Sequence, residues 1–268
     1  MSASQYEHIL YEKKGRVAVV TLNRPKKLNA WTPLMEAEFI DAVNKTASDD
    51  DLSVLLVTGE GRGFCAGADI GGWAQDISTR DVRAPASPML ARDGSPEVPI
   101  ALSRGKPAIA AINGPAIGIG LTMTLACDIR LASDKATFSA RFVKIGLTPE
   151  CGSTRYLPLV AGFSNALFLA LTGRIIEAQE AKGRGLIDRI VPHDSLVDEA
   201  MALANEIAAN PTDAVWAAKR LIHEDAVEAD LRRVVTQEVN MIREQRRLPA
   251  HAEAVSAFQA KREPRFHG

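Results

Sequence analysis

Twice in the first half of the chain a short, wholly apolar run gives way to a glycine-rich loop. SVLLVTG (53–59) leads into GEGRGFCAGADI (59–70), and KPAIAAING (106–114) leads into PAIGIGLTMTLA (115–126). An apolar run without alternation is what a strand buried on both faces requires, and parallel sheets covered by helices bury strands in that way. Small-residue helical sequence follows the second loop, so strand, glycine loop and helix form a repeated unit, which predicts an α/β fold. Upstream, HILYEKKG and RVAVVTL (8–22) read as a hairpin, and Pro33 to Thr46 as a helix whose stripe is Leu34, Phe39, Ala42 and Val43.

Downstream, CDIRLAS (127–133) returns as a strand, helices are expected near 151–171 and 177–184, and LIDRIV (186–191) is a last strand. Leu196, Ala200, Leu203 and Ile207 then recur at helical spacing after Asp194, the expected N-cap, and Asn210-Pro211 ends that helix. The expected division is an α/β part over 1–195 and a helical part over 196–268. Residues 73–98 mix Asp, Arg, Ser and Pro without period and read as a mobile surface excursion.

Composition removes several function classes. With 268 residues, 46% of them hydrophobic, the chain can bury a large core. The net charge of -1, from 32 basic and 33 acidic side chains spread along the sequence, gives nucleic acid no footprint. Cys65, Cys127 and Cys151 form no CxxC pair and are expected as free thiols in a reducing, cytoplasmic setting. No apolar stretch is long enough to span a membrane. The 5 histidines are scattered without metal-ligand spacing, so no metal site is expected.

Two features carry chemistry. GRGFCAGADI satisfies a loose G-x-G-x-x-A dinucleotide pattern, yet the acid-ended strand that such a fold needs about twenty residues on is missing, because Asp81 lies in the polar excursion. The other use of bare glycine backbone is to bring N–H groups to a ligand oxygen, with Ala68 in the first loop and Ile119 in the second as donors. The second feature is Glu150 in KIGLTPECGST. It is either a first-turn residue of a helix starting near Cys151 or a carboxylate kept for proton transfer. An apolar setting of Leu121, Phe142, Ile145 and Leu147 would raise its pKa and strengthen it as a base.

In this order and at these separations, NRPKKLNA, FCAGADI, AAINGPAIGIG with CDIRLAS, ATFSARFVKIGLTPECGST and AFQAKREP resemble the crotonase (enoyl-CoA hydratase/isomerase) superfamily over nearly the whole chain. The resemblance implies a spiral of ββα units, a helical C-terminal region used in assembly as a homotrimer or dimer of trimers, and an acyl-CoA thioester substrate. No permanently bound cofactor is implied; coenzyme A is part of the substrate. It maps an oxyanion hole onto the Ala68 and Ile119 N–H groups. CoA contacts fall on Lys26, Leu28, Ala30, Ala66, Asp69 and Ile70, with Phe258 and Lys261 reaching CoA, often from a neighbouring subunit. Read without the resemblance, Phe258 is equally a helix-core residue and Lys261 a solvated one.

The two glutamates that hydratases of this superfamily use are replaced by Thr122 and Phe142, whereas Glu150 resembles the single acid of Δ3,Δ2-enoyl-CoA isomerases. Ring-opening epoxyphenylacetyl-CoA isomerases carry an aspartate there. Allylic isomerisation with Glu150 as proton shuttle is the implied reaction; a hydratase, and a non-catalytic acyl-CoA binder on the same scaffold, are the alternatives. Cys151 stands where such relatives often carry a small residue or glycine, and it is read as packing rather than as a nucleophile.

Overall fold

The computed structural model describes residues 6–72 and 97–267. The predicted hairpin is present: β1 (Ile9–Lys14) runs antiparallel to β2 (Val17–Leu22). Every later strand of the large sheet is parallel to its neighbour. β3 (Val54–Gly59), β4 (Ala108–Ile112), β6 (Ile129–Ser133) and β9 (Arg189–Val191) extend it in the order β1-β2-β3-β4-β6-β9. A small second sheet joins β5 (Ala116–Ile117), β7 (Thr137–Ser139) and β8 (Ile176–Glu177).

The apolar runs are explained by two cores. Ala18, Val20, Leu55, Val57, Ala108 and Ala110 point to one side with Met35, Phe39 and Leu102, while Val17, Val19, Val54, Leu56, Ile109 and Ala111 point to the other with Ala200 and Ala204. Side chains alternate along a strand, so a sheet covered on both faces needs apolar residues at every position. The first face is covered by α1 (Pro33–Ser48) and α2 (Glu97–Arg104), the second by α7 (Leu196–Ala208). Helix α1 starts where Thr32 accepts a hydrogen bond from the Met35 N–H and Pro33 takes the first turn.

The ββα unit recurs. After β4, the chain places β5 in the small sheet and then the short α3 (Ile119–Thr122); after β6 it places β7 and then, beyond a 3-10 turn over Arg141–Ile145, α4 (Ser153–Ala161) and α5 (Phe163–Thr172). The single helix expected over 151–171 is divided because Gly162 caps both pieces in a conformation with φ 79. Helix α6 (Ala178–Gly183) follows β8, and α8 (Thr212–Asp225), α9 (Leu231–Gln245) and α10 (Pro249–Gln259) complete the helical C-terminal region. The observed architecture is the predicted α/β spiral of ββα units with a helical C-terminal region.

Three readings are corrected. Residues 97 and 98 belong to α2, while 73–96 of the expected excursion lie outside the described residues. Asp194 does not cap α7: Ser195 precedes that helix without a side-chain cap, and Asp194 sits in a 3-10 turn where its neighbour His193 bonds Asp134. Glu150 is not in the first turn of α4, which begins at Ser153. No helix among the described residues is long and apolar enough to cross a membrane.

Candidate active site

The two glycine loops meet backbone to backbone. Cys65 N–H donates to the Pro115 carbonyl and the Cys65 carbonyl accepts from Ile117 N–H, both at 2.9 Å. A Cβ on Gly120 would stand 2.2 Å from the Cys65 carbonyl oxygen, so no other residue fits there without moving one loop. Gly67 and Gly118 face each other across this seam: the Cβ position of Gly118 lies 3.9 Å from Gly67 Cα. Ala68 and Ile119, the two predicted donors, are the next residue after each.

Backbone hydrogen bonding aims both donors. The Gly67 carbonyl is bound by Trp31 N–H at 2.8 Å, and the Trp31 carbonyl by Asp69 N–H at 2.8 Å. In a trans peptide the C=O and the following N–H point in opposite directions, so Ala68 N–H is turned away from Trp31. The Gly118 carbonyl is held by Leu121 and Thr122 N–H groups inside α3, which turns Ile119 N–H out of the helix start. Among the described residues neither N–H has an intrachain acceptor, and orphan N–H groups of this kind attract an oxyanion.

The early loop is tied to the first glycine loop. Leu28 and Asn29 both have left-handed backbone, φ 47 and 54. Asn29 is fully buried, its amide donating to the carbonyls of Glu60 at 3.0 Å and Gly63 at 2.8 Å while its Oδ1 accepts from Arg24 N–H. Ala66 N–H bonds the Leu28 carbonyl, and Arg24 reaches both the Ala30 carbonyl and, at 2.9 Å, Asp69. That guanidinium holds the Asp69 carboxyl below its ordinary pKa. Leu28, Ala30, Ala66 and Asp69 are thereby gathered, with Lys26 exposed in the turn Pro25–Lys27 and Ile70 exposed beyond Asp69. Asn29 and Arg24, which do the gathering, are invisible to pattern reading because their role is to bridge segments far apart in sequence.

Glu150 stands beside α3. Its Oε1 accepts from the buried Thr122 hydroxyl at 3.4 Å, and its Oε2 is buried with no hydrogen-bond partner. Burial pushes the carboxyl up to about 7, the negative charge of Glu36 adds to the rise, and the Thr122 bond opposes it. Leu121 and Phe142 are buried as expected, with the Phe142 ring 4.0 Å from the Cβ position of Gly118. Ile145 and Leu147 do not supply the apolar setting in the single chain: they are 54% and 45% exposed, Ile145 at the end of the 3-10 turn and Leu147 just past the left-handed Gly146. Glu36, on the first turn of α1, was not singled out from sequence; its indole partner Trp31 at 3.4 Å ties it to the segment that brackets Ala68.

Cys151 has φ 56 and Gly152 φ 67, two left-handed residues in succession between Glu150 and α4. The Cys151 thiol is buried and raised well above its ordinary value by desolvation first and by Glu150 second, which opposes thiolate formation. Phe258 is 86% exposed, which overturns the helix-core alternative for it, and Lys261 is exposed just past α10. Among the described contacts nothing joins either residue to the glycine loops.

The enoyl-CoA hydratase/isomerase family profile matches residues 12–268. The chain belongs to the enoyl-CoA hydratase/isomerase family. It is 37% identical to the 1,2-epoxyphenylacetyl-CoA isomerase of Escherichia coli (strain K12), covering 98% of this chain and 99% of that protein. It is 34% identical to a protein named probable enoyl-CoA hydratase of Mycobacterium bovis, over 97% of this chain and 98% of the relative. The solved enoyl-CoA hydratase subunit I of Geobacillus kaustophilus HTA426 superposes with a TM-score of 0.87 at 32% identity, over 99% and 100% of the two chains. The protein is therefore an acyl-CoA enzyme of the hydratase/isomerase type in the crotonase superfamily, and its relatives carry both isomerase and hydratase names.

Proposed function

We propose that this enzyme moves the double bond of an enoyl-CoA thioester, with Glu150 as the only proton carrier and the Ala68 and Ile119 N–H groups as the oxyanion hole. The observation that carries this reading is the pairing of a buried, partnerless Glu150 Oε2 with two unpaired N–H groups set at one seam. Glu150 takes the proton from C2 of a 3-enoyl thioester, the C–H electron pair spreads through the dienolate onto the carbonyl oxygen, and the same carboxyl returns the proton to C4. The product is the 2-enoyl thioester. Each preorganised N–H is worth about 2.7–4 kcal/mol in such a step. A carboxyl titrating at about 7 is a stronger base toward carbon than an ordinary glutamate and is still ionised half the time at neutral pH. The 1,2-epoxyphenylacetyl-CoA isomerase name of a relative supports isomerase chemistry on this scaffold.

Coenzyme A would lie against Lys26, Leu28, Ala30, Ala66, Asp69 and Ile70, and exposed Phe258 and Lys261 would meet it from a neighbouring subunit of a trimer. The decisive experiment incubates the protein with a 3-enoyl-CoA in D2O. Conversion to the trans-2-enoyl product with less than one deuterium per turnover at the allylic carbons, abolished in Glu150→Gln while thioester binding survives, is the expected result. The second reading, favoured by the hydratase name of another relative, requires formation of 3-hydroxyacyl-CoA by the pure enzyme. That product at a rate exceeding isomerisation would replace the first reading.

A further inference from the structure

The hydrogen bonding of Glu150 is one-sided. Oε1 has the Thr122 hydroxyl, in a part-buried contact, while Oε2 is buried and has nothing. Thr122 is 1% exposed, so its hydroxyl has no solvent to turn to, and it lies three residues after Ile119 on the four-residue α3. The same short helix therefore carries the N–H that would receive the thioester oxygen at its start and the hydroxyl that reaches the carboxyl at its end. A rigid element holding both groups fixes the spacing between the charge that develops and the base that creates it.

We propose that Thr122 is a positioning residue, whose hydroxyl holds Glu150 Oε1 so that Oε2 is the oxygen that carries the proton. This rests on the isomerase reading above. A shuttle must give up at C4 the proton it took at C2, before that proton is lost to water. A carboxyl free to rotate about its last bond would bring either oxygen forward and spill the proton; one oxygen tethered keeps the loaded one over the acyl chain. The 3.4 Å separation is that of the substrate-free site, where hydrogen bonds to catalytic groups are commonly long and tighten when substrate binds. The titratable groups acting on Glu150 among the described residues are Glu36 from α1 and the neighbouring Cys151 thiol. Neither is a hydrogen-bond donor to its Oε1, although the Thr122 hydroxyl also reaches the Cys151 thiol, its other neighbour. The polar character of Thr122 is the point of the assignment: valine has the same shape and lacks the hydroxyl.

The test compares Thr122→Val and Thr122→Ser in the full-length enzyme with a 3-enoyl-CoA in D2O. For Thr122→Val the expected loss is about 10- to 100-fold in kcat with KM within about twofold, in keeping with the cost of a misplaced catalytic group. The ratio of deuterium incorporation to isomerisation rises, because the proton escapes before its return. The acid limb of kcat/KM moves to higher pH, since a bond that opposed the raised pKa is gone. Thr122→Ser restores all three. A valine variant with unchanged kcat, exchange ratio and pH limb, alongside an inactive Glu150→Gln, overturns the positioning role and leaves the isomerase reading standing. An active Glu150→Gln overturns the isomerase reading itself. Should valine prevent folding, as read by circular dichroism, Thr122→Ala answers the same three questions.

Discussion

Glu150 is where stability and activity pull apart. Its carboxyl titrates at about 7 against an ordinary 4.5, because burial and the charge of Glu36 disfavour the anion. Below the unfolded-state value both states hold the proton and the group contributes nothing. Between 4.5 and about 7 the folded protein keeps a proton that the unfolded chain has lost, so stability falls as pH rises through that window and the full penalty remains above it. Glu150→Gln mimics the protonated form, so its melting temperature is expected to exceed the wild type at pH 8 and to match it at pH 4. The expected gain at pH 8 is about 1–2 kcal/mol, less than the full shift implies because the amide also leaves a buried atom unpaired. Equal melting temperatures at pH 8 would mean that the site is wetter than its burial indicates. With Glu150 as the proposed base, catalysis runs the other way: kcat/KM should climb about tenfold per pH unit up to about 7 and then level, as the base form accumulates.

At the scale of elements, the seam between the glycine loops sets what the site tolerates. Gly120→Ala drives a Cβ to within 2.2 Å of the Cys65 carbonyl oxygen, and backbone cannot retreat as a flexible side chain can. The expected outcome is a loss of more than about 100-fold in kcat, since one loop must shift and separate the two N–H groups, together with a lowered melting temperature. Gly183→Ala at the end of α6 meets nothing within 4 Å and should stabilise by about 0.5–1 kcal/mol with activity unchanged. Parallel melting and turnover assays on the two variants separate crowding from flexibility. The same seam explains what could be read from sequence. SVLLVTG, KPAIAAING and their glycines announced buried strands and close backbone approach, because those properties leave a local pattern. Ile145 and Leu147 depart from the expectation because the end of a 3-10 turn and the left-handed Gly146 after it carry them outward, by backbone geometry that an apolar identity does not encode. Asn29, Arg24 and Glu36 went unnoticed because each acts on a partner from another segment, and such pairs have no periodicity.

At the scale of the molecule, α9 presents Leu231, Val235, Val239 and Ile242 on one side, all exposed, and Leu231 by 72%. The spacing of four, four and three is that of a single helical face, and an amphipathic helix places such a face against something. A neighbouring flank of the same helix, with Met241, faces Trp216 and Arg220 of α8. Nothing else among the described residues covers the exposed stripe, and a patch of this kind on a single chain marks an interaction surface. A neighbouring copy in the proposed trimer would cover this stripe and would also account for Phe258, which is exposed in a single chain and is proposed to face the CoA groove of a neighbour. The expected sedimentation mass is therefore three or six times the 28.9 kDa chain. Replacing Val235 and Val239 by aspartate puts charge into that surface and should shift the enzyme toward the 28.9 kDa species. Because Phe258 and Lys261 are proposed to reach CoA across the same contact, KM for the thioester should rise about tenfold or more in the dissociated form, the effect expected on losing one or two contacts of about 1 kcal/mol each. Glu150 and both N–H donors lie in one chain, so a residual kcat is expected at saturating substrate. A dissociated double variant with unchanged KM would place the CoA contacts wholly within each chain; one that stays assembled would move the interface elsewhere.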